Sequence, residues 1–264
     1  MTLMKVCRGL AVALVSLAVS VTLVAVGFGA CLLPPVTQGL SRAFAQDDMS
    51  PFSREQLAQV ADATRDFSFA SHDELTLLKV IYGVNAEYQD ALEEDGQSLA
   101  YDAPKLANVT DVDDLAQLRS AFAGASEAYC FPAETVSHLD DCHAIMAVAT
   151  PVLICVALVT AAGLSLLGVT GMRREMGTAL SGAGAFVLAT FALLGIWAVV
   201  DFRSLFVVFH QLLFIRGNWQ FPHGCLLICA LPTEFWMGMG ILWLAVTISG
   251  SVACIAAGRS LRHA

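Results

Sequence analysis

The chain has 264 residues, of which 57% are hydrophobic and 14% charged, with a formal net charge of −9 and a mean hydropathy of +0.68. Soluble globules carry about 25% charged residues, so this apolar excess calls for lipid as a second solvent. The acidic balance argues against a nucleic-acid partner, whose phosphates require a basic footprint.

Lys5 and Arg8 precede the first apolar run, which extends from about Leu10 to Leu33. Three more such runs follow, from about Ala144 to Val169, Ala179 to Val200 and Phe235 to Ala257, and none holds an Asp, Glu, Lys or Arg. Each is close to the roughly 20 residues needed to cross a hydrocarbon core, so four transmembrane helices are expected. Arg173 and Arg174 fill the turn between the second and third runs, and Arg259 and Arg262 follow the fourth. With four crossings these basic sites share one side, predicted to be cytoplasmic, with both termini. The expected organisation of this multi-pass cell-membrane protein is therefore 1–33 as N-terminus and first span, 34–143 as an extracytoplasmic domain, and 144–264 as spans two to four with an outer loop at 201–234. Residues 34–143 hold 20 acidic against 6 basic side chains, a local charge of −14, while the remainder carries +5.

Ala43-Phe44-Ala45 has the form of a signal-peptidase site, but the apolar run ahead of it is longer than a signal core and ends ten residues earlier. A retained helix is the expectation. Phe28-Gly29-Ala30-Cys31 is a poor lipobox and reads as a small-residue helix end. Pro34-Pro35 breaks the run, and a polar linker is expected as far as Pro51. Ser53 then caps a helix whose stripe is Leu57, Val60, Ala61 and Thr64. Residues 73–94 carry Leu75, Leu78, Ile81, Tyr82 and Tyr88 at helical spacing, 96–109 reads as loop, and Asp111 opens a short helix toward Phe122. The outer domain is expected to be small, mainly helical, and resting on the membrane rather than enclosing a large core.

Ser204 to Ile215 is strongly apolar yet, at about 12 residues, too short to cross a bilayer. An interfacial or re-entrant helix between spans three and four is expected there. The fold class is thus all-α membrane protein: four spans, a helical extracytoplasmic domain and this short helix. Trp219 and Trp236 lie near the boundaries that indole rings favour.

Two histidines have a chemical context. His138 lies three residues before Asp141, so on a helix a carboxylate shares its face and can orient and activate the imidazole as a general base. His210 sits inside the short apolar helix, where a polar ring needs a partner or a wet cavity. Both are expected at the outer interface, so one site can include both. His72, His143 and His223 have weaker claims, His72 reading as a solvated helix start beside Asp73 and Glu74. Glu234, after Pro232, is an acid or acceptor at the membrane edge. Among the eight cysteines, Cys7, Cys155 and Cys254 read as small apolar packers. Cys130, Cys142, Cys225 and Cys229 fall on the outer side, where disulfides persist, with the pairing open. No spacing matches a zinc set, and no nucleophile elbow, phosphate loop or His-Glu-x-x-His motif occurs.

The stretch from Val200 through Phe214, with Phe209-His210, followed by Gly217-Asn218-Trp219-Gln220-Phe221, resembles the signature of a bacterial integral-membrane family that includes the lipoprotein intramolecular transacylases. Leu227-Ile228, Pro232-Thr233-Glu234-Phe235-Trp236, the Glu134–His143 segment with His138 and Asp141, and the Ser53–Phe67 helix are similar to further family elements. The similarity spans most of the chain and is weakest over 70–130. Cys142 and His143 replace Val and Lys of the family pattern, and Cys225 stands near where an Asp is frequent.

The resemblance implies a membrane acyltransferase whose substrate is a lipoprotein with diacylglycerol on its N-terminal cysteine. One acyl chain would move from the glycerol to the cysteine's amine. His138 and His210 would be the catalytic pair and Asp141 would orient His138, while Trp219, Phe209, Phe214 and Glu234 would bind substrate. No cofactor, metal or nucleotide is implied. The partners are membrane lipid and the diacylated lipoprotein N-terminus, and the sequence carries no sign of oligomeric state. The alternative from another class is a non-catalytic scaffold or partner-binding subunit. A small-solute transporter is disfavoured by the sparse polarity of the spans.

Overall fold

The structure is a computed structural model and describes residues 2–214 and 217–263. Among these residues regular structure is helical: α1 (Thr2–Cys31), α2 (Pro34–Phe44), α3 (Arg54–Phe69), α4 (Glu74–Glu94), α5 (Leu115–Phe122), α6 (Ala133–Val169), α7 (Arg173–Leu213), α8 (Leu226–Ala230) and α9 (Thr233–His263). Four of them, α1, α6, α7 and α9, are long and apolar enough to cross a membrane, as the hydropathy pattern predicts. The chain divides into two compact units, one of Met1–Cys31, Ala147–Phe209 and Gly240–Ala264, the other of Leu32–Met146 and His210–Met239.

The span unit is apolar on the outside. Val199 is 89% exposed and Leu193 70%, which in water would be costly and in lipid is the favoured arrangement. Packing inside relies on small residues and on polar groups satisfied between helices. A Cβ at Gly177 would stand 2.5 Å from the Gly258 carbonyl oxygen, and one at Gly258 would stand 2.5 Å from that of Gly177. The backbones of α7 and α9 thus meet where only glycine fits. Thr22 and Thr160 hydroxyls pair at 2.9 Å between α1 and α6, and the Trp243 indole donates to the Val24 carbonyl at 3.0 Å.

The second unit has a true core, where its short helices led to the expectation of a small layer without one. Phe52, Leu57, Leu77, Ile81, Leu118, Leu226 and Phe235 are each at most 1% exposed, drawn from α3, α4, α5, α8, the start of α9 and, for Phe52, the segment just before α3. The acids lie on the rim and conceal this core from a composition count. Ser53 caps α3 in a reciprocal capping box with Gln56, and the predicted stripe Leu57, Val60, Ala61 and Thr64 is buried. Two boundaries differ from expectation. Pro34–Phe44, expected as linker, is helical with proline at its first positions, where a missing N–H costs nothing. The helix expected from Asp111 starts at Leu115, because Asp114 is the residue whose carboxylate accepts the free amides of Ala116 and Gln117. Gln46 N–H donates to the Cys229 carbonyl at 3.0 Å, Leu226 N–H to that of Glu127 at 2.8 Å and the Ser41 hydroxyl to that of Ala230 at 2.9 Å. These bonds bind α8 into the unit.

α7 breaks at Asp201, whose φ of −156° and ψ of 83° are non-helical. Its carboxylate accepts the Ser204 amide at 2.9 Å and starts a fresh helical run to Leu213. This is the short apolar helix expected over Ser204–Ile215, of which Ile215, like the flanking Arg216, lies outside the described residues.

Candidate functional site

The site is assembled in the second unit from the first turns of α6, the last residues of α7 and the loop leading to α8. On α6, helical spacing puts Ser137, His138, Asp141 and Cys142 on adjoining positions of one side. His138 is 9% exposed. Its ring faces that of Phe214 at 4.6 Å and that of Phe221 at 5.4 Å between centroids. His210, half-buried one turn before Phe214, lies 6.4 Å from His138 between ring centroids, with the planes inclined by 23°. Trp219 stands 5.0 Å from His210. Two imidazoles therefore share an aromatic-walled enclosure, separated by enough space to flank one reacting centre.

The polar connections are few. Cys142 Sγ lies 3.7 Å from His138 Nε2. Asn218 Nδ2 donates to Asp141 Oδ2 at 3.1 Å and to Ser137 Oγ at 3.3 Å. His138 Nδ1 and Asn218 Oδ1 are buried without a partner among the described residues. Burying such atoms unpaired costs about 1–3 kcal/mol each, an expense that functional sites tolerate.

Of the residues singled out in the sequence, the structure brings together His138, His210, Asp141, Phe214 and Trp219. Phe209 falls in the span unit and is 50% exposed. Glu234 is exposed in the first turn of α9, outside this cluster. Asn218, Ser137, Phe221 and Cys142 join the site without having been assigned a role. Asn218 and Phe221 were visible only as members of the Gly217–Phe221 stretch and Cys142 only as a departure from the family pattern, while Ser137 carries no local signal.

A second histidine cluster occupies another side of the same α6 turns. His72, at a φ of +52°, stacks on His143 at 3.9 Å and on Phe67 at 4.4 Å. Its Nδ1 is 3.1 Å from the Phe67 carbonyl oxygen and its Nε2 is 3.5 Å from Asp140 Oδ1. It is not the solvated helix start that Asp73 and Glu74 suggested. All eight cysteines are free thiols, so no disulfide joins Cys130, Cys142, Cys225 or Cys229. Burial pushes the thiols of Cys130 and Cys229 up to about 11, which keeps them protonated and unreactive at neutral pH.

A sequence profile described as lipoprotein intramolecular transacylase Lit matches residues 76–236. Among solved structures, the membrane-integral lipoprotein intramolecular transacylase Lit from Bacillus cereus is similar with a TM-score of 0.65 and 16% identity, over 97% of this chain and 96% of that one. A variant of it with one histidine replaced by arginine gives 0.60 at 17% identity, covering 98% of this chain and 94% of that one. Another with alanine at a histidine gives 0.59 at 16% identity, covering 98% and 96%. No curated protein matches.

Proposed function

The chain belongs to the lipoprotein intramolecular transacylase family, and from that premise we propose that it transfers an acyl chain within a diacylglyceryl lipoprotein, from the glycerol to the amine of the N-terminal cysteine. The observation that carries this reading is the placement of His138 and His210 6.4 Å apart inside one aromatic enclosure.

The reaction needs one proton removed and one delivered. As the amine nitrogen attacks the ester carbonyl, His138 takes its proton at the buried Nδ1. The C–N bond forms, the C–O bond to glycerol breaks, and His210 gives a proton to the departing glycerol oxygen. Two imidazoles flanking the carbonyl, each within about 3 Å of the atom it serves, fit such a division of labour. Phe214, Phe221 and Trp219 exclude water, which would otherwise hydrolyse the ester. Side chains alone supply this chemistry. In this reading the short helix carrying His210 lies at the outer face of the membrane, where the acyl donor resides, and both termini are cytoplasmic.

Expression in a host that makes only diacyl lipoproteins, followed by mass spectrometry of lipoprotein N-termini, tests it. The expected product has unchanged mass but an acylated amine and a monoacyl glyceryl group in the fragment spectrum. His138→Ala and His210→Ala should each lose it. A wild-type chain that leaves the amine free in active membranes would defeat the reading.

A further inference from the structure

We propose that Asn218, clamped by Ser137 and Asp141, is the positioning residue that holds the acceptor amine; this rests on the transacylase reading. Asn218 spends its amide hydrogens on Ser137 Oγ at 3.3 Å and Asp141 Oδ2 at 3.1 Å. That fixes the carboxamide plane and directs Oδ1 away from both partners. Oδ1 is buried and has no partner among the described residues, and His138 Nδ1 in the same cluster is in the same condition.

Both orphaned groups are of the kind that accepts a hydrogen bond, Nδ1 doing so in the tautomer that keeps its proton on Nε2 beside Cys142 Sγ. Asp141 adds a carboxylate to the same arrangement. A carbonyl, an imidazole nitrogen and a neighbouring anion together call for a ligand rich in N–H and positive when protonated. A primary amine meets that description, whereas an ester or a fatty chain offers no donor. The core provides a contrast. Asn85 also has a buried Oδ1 without a partner, but its amide ties Ile81 and Tyr129 carbonyls in a fully enclosed setting with no carboxylate or imidazole in the tie. That one is a structural strut.

Asn218 would not itself take a proton. It would hold the nitrogen while His138 removes one; Asp141 would favour arrival of the amine as ammonium, which gives its extra proton to bulk water before the free amine attacks. The test is binding by the full-length protein in nanodiscs to a synthetic diacylglyceryl-cysteine lipopeptide, compared with the same lipopeptide N-acetylated. Wild type should prefer the free amine by about tenfold or more, the size of a charge-assisted hydrogen bond. Asn218→Leu should erase that preference while keeping the affinity for the acetylated form, whereas a fold defect would weaken both. Asp141→Asn should flatten the decline in preference that wild type shows as pH rises through the amine's pKa near 8. Retained preference in Asn218→Leu, or no preference in wild type that still forms N-acylated product, overturns the inference but leaves the transacylase reading standing. Wild type that binds neither lipopeptide and forms no product removes both.

Discussion

Two histidine pairs grow from the same turns of α6, and they differ in one distance. His72 and His143 are in ring contact at 3.9 Å, with Phe67 behind and Asp140 beside them. His138 and His210 stand at 6.4 Å, with aromatic walls around them. Each pair has one buried ring nitrogen without a partner among the described residues, His143 Nδ1 and His138 Nδ1. An orphaned nitrogen therefore does not by itself mark the reacting site. The closed pair has no room for a substrate carbonyl and works as a clamp between the α3–α4 connection and α6. The open pair stands 2.5 Å wider (6.4 against 3.9 Å), with an orphaned carbonyl and a carboxylate beside it.

The largest expected effect separates the two pairs by function. His138→Ala and His210→Ala should each slow turnover by about 10²–10⁴-fold, the usual contribution of a positioned acid or base. The double variant should be little worse than either single one, because the two act in one proton relay. Additive losses in single-turnover assays would separate them into unrelated roles.

Next is the closed pair, where stability rather than turnover should move. His72→Ala removes two ring contacts and a hydrogen bond and should destabilise the fold by about 1–2 kcal/mol. His72→Gly should recover part of this, because glycine accepts the positive φ without strain. Denaturant unfolding in detergent measures both, with turnover per folded molecule unchanged. A glycine variant less stable than the alanine variant would contradict the backbone part of the argument.

The smallest effect lies away from both pairs. Ser53→Ala removes half of the α3 capping box and should cost about 1 kcal/mol in the same unfolding measurement. Loss of turnover per folded molecule in that variant would mean that the two clusters are not independent of the core beneath them.

Legibility followed the range of the forces involved. The four spans were readable because lipid solvation acts on every residue of a long run, and α3 because its cap and stripe are local. The helix Pro34–Phe44 was missed because two prolines read as a break when they stand at a helix start. The core of the second unit was hidden by the acids near Leu57 and Ile81 and by the distance of Leu226 from them along the chain. At the site, His138, Asp141 and His210 could be named from spacing and apolar context. Asn218 could not, since its partners lie 81 and 77 residues away in sequence. His72 was misread because its positive φ and its stack on His143 are tertiary facts.

The most direct test is an alanine scan of four histidines, 72, 138, 143 and 210, assayed on a diacylglyceryl lipopeptide with product identified by mass spectrometry and normalised to folded protein. The account predicts loss of N-acylated product at 138 and 210 and near wild-type turnover at 72 and 143. Retained turnover at 138 or 210, or an equal loss at 72 and 143, would contradict it.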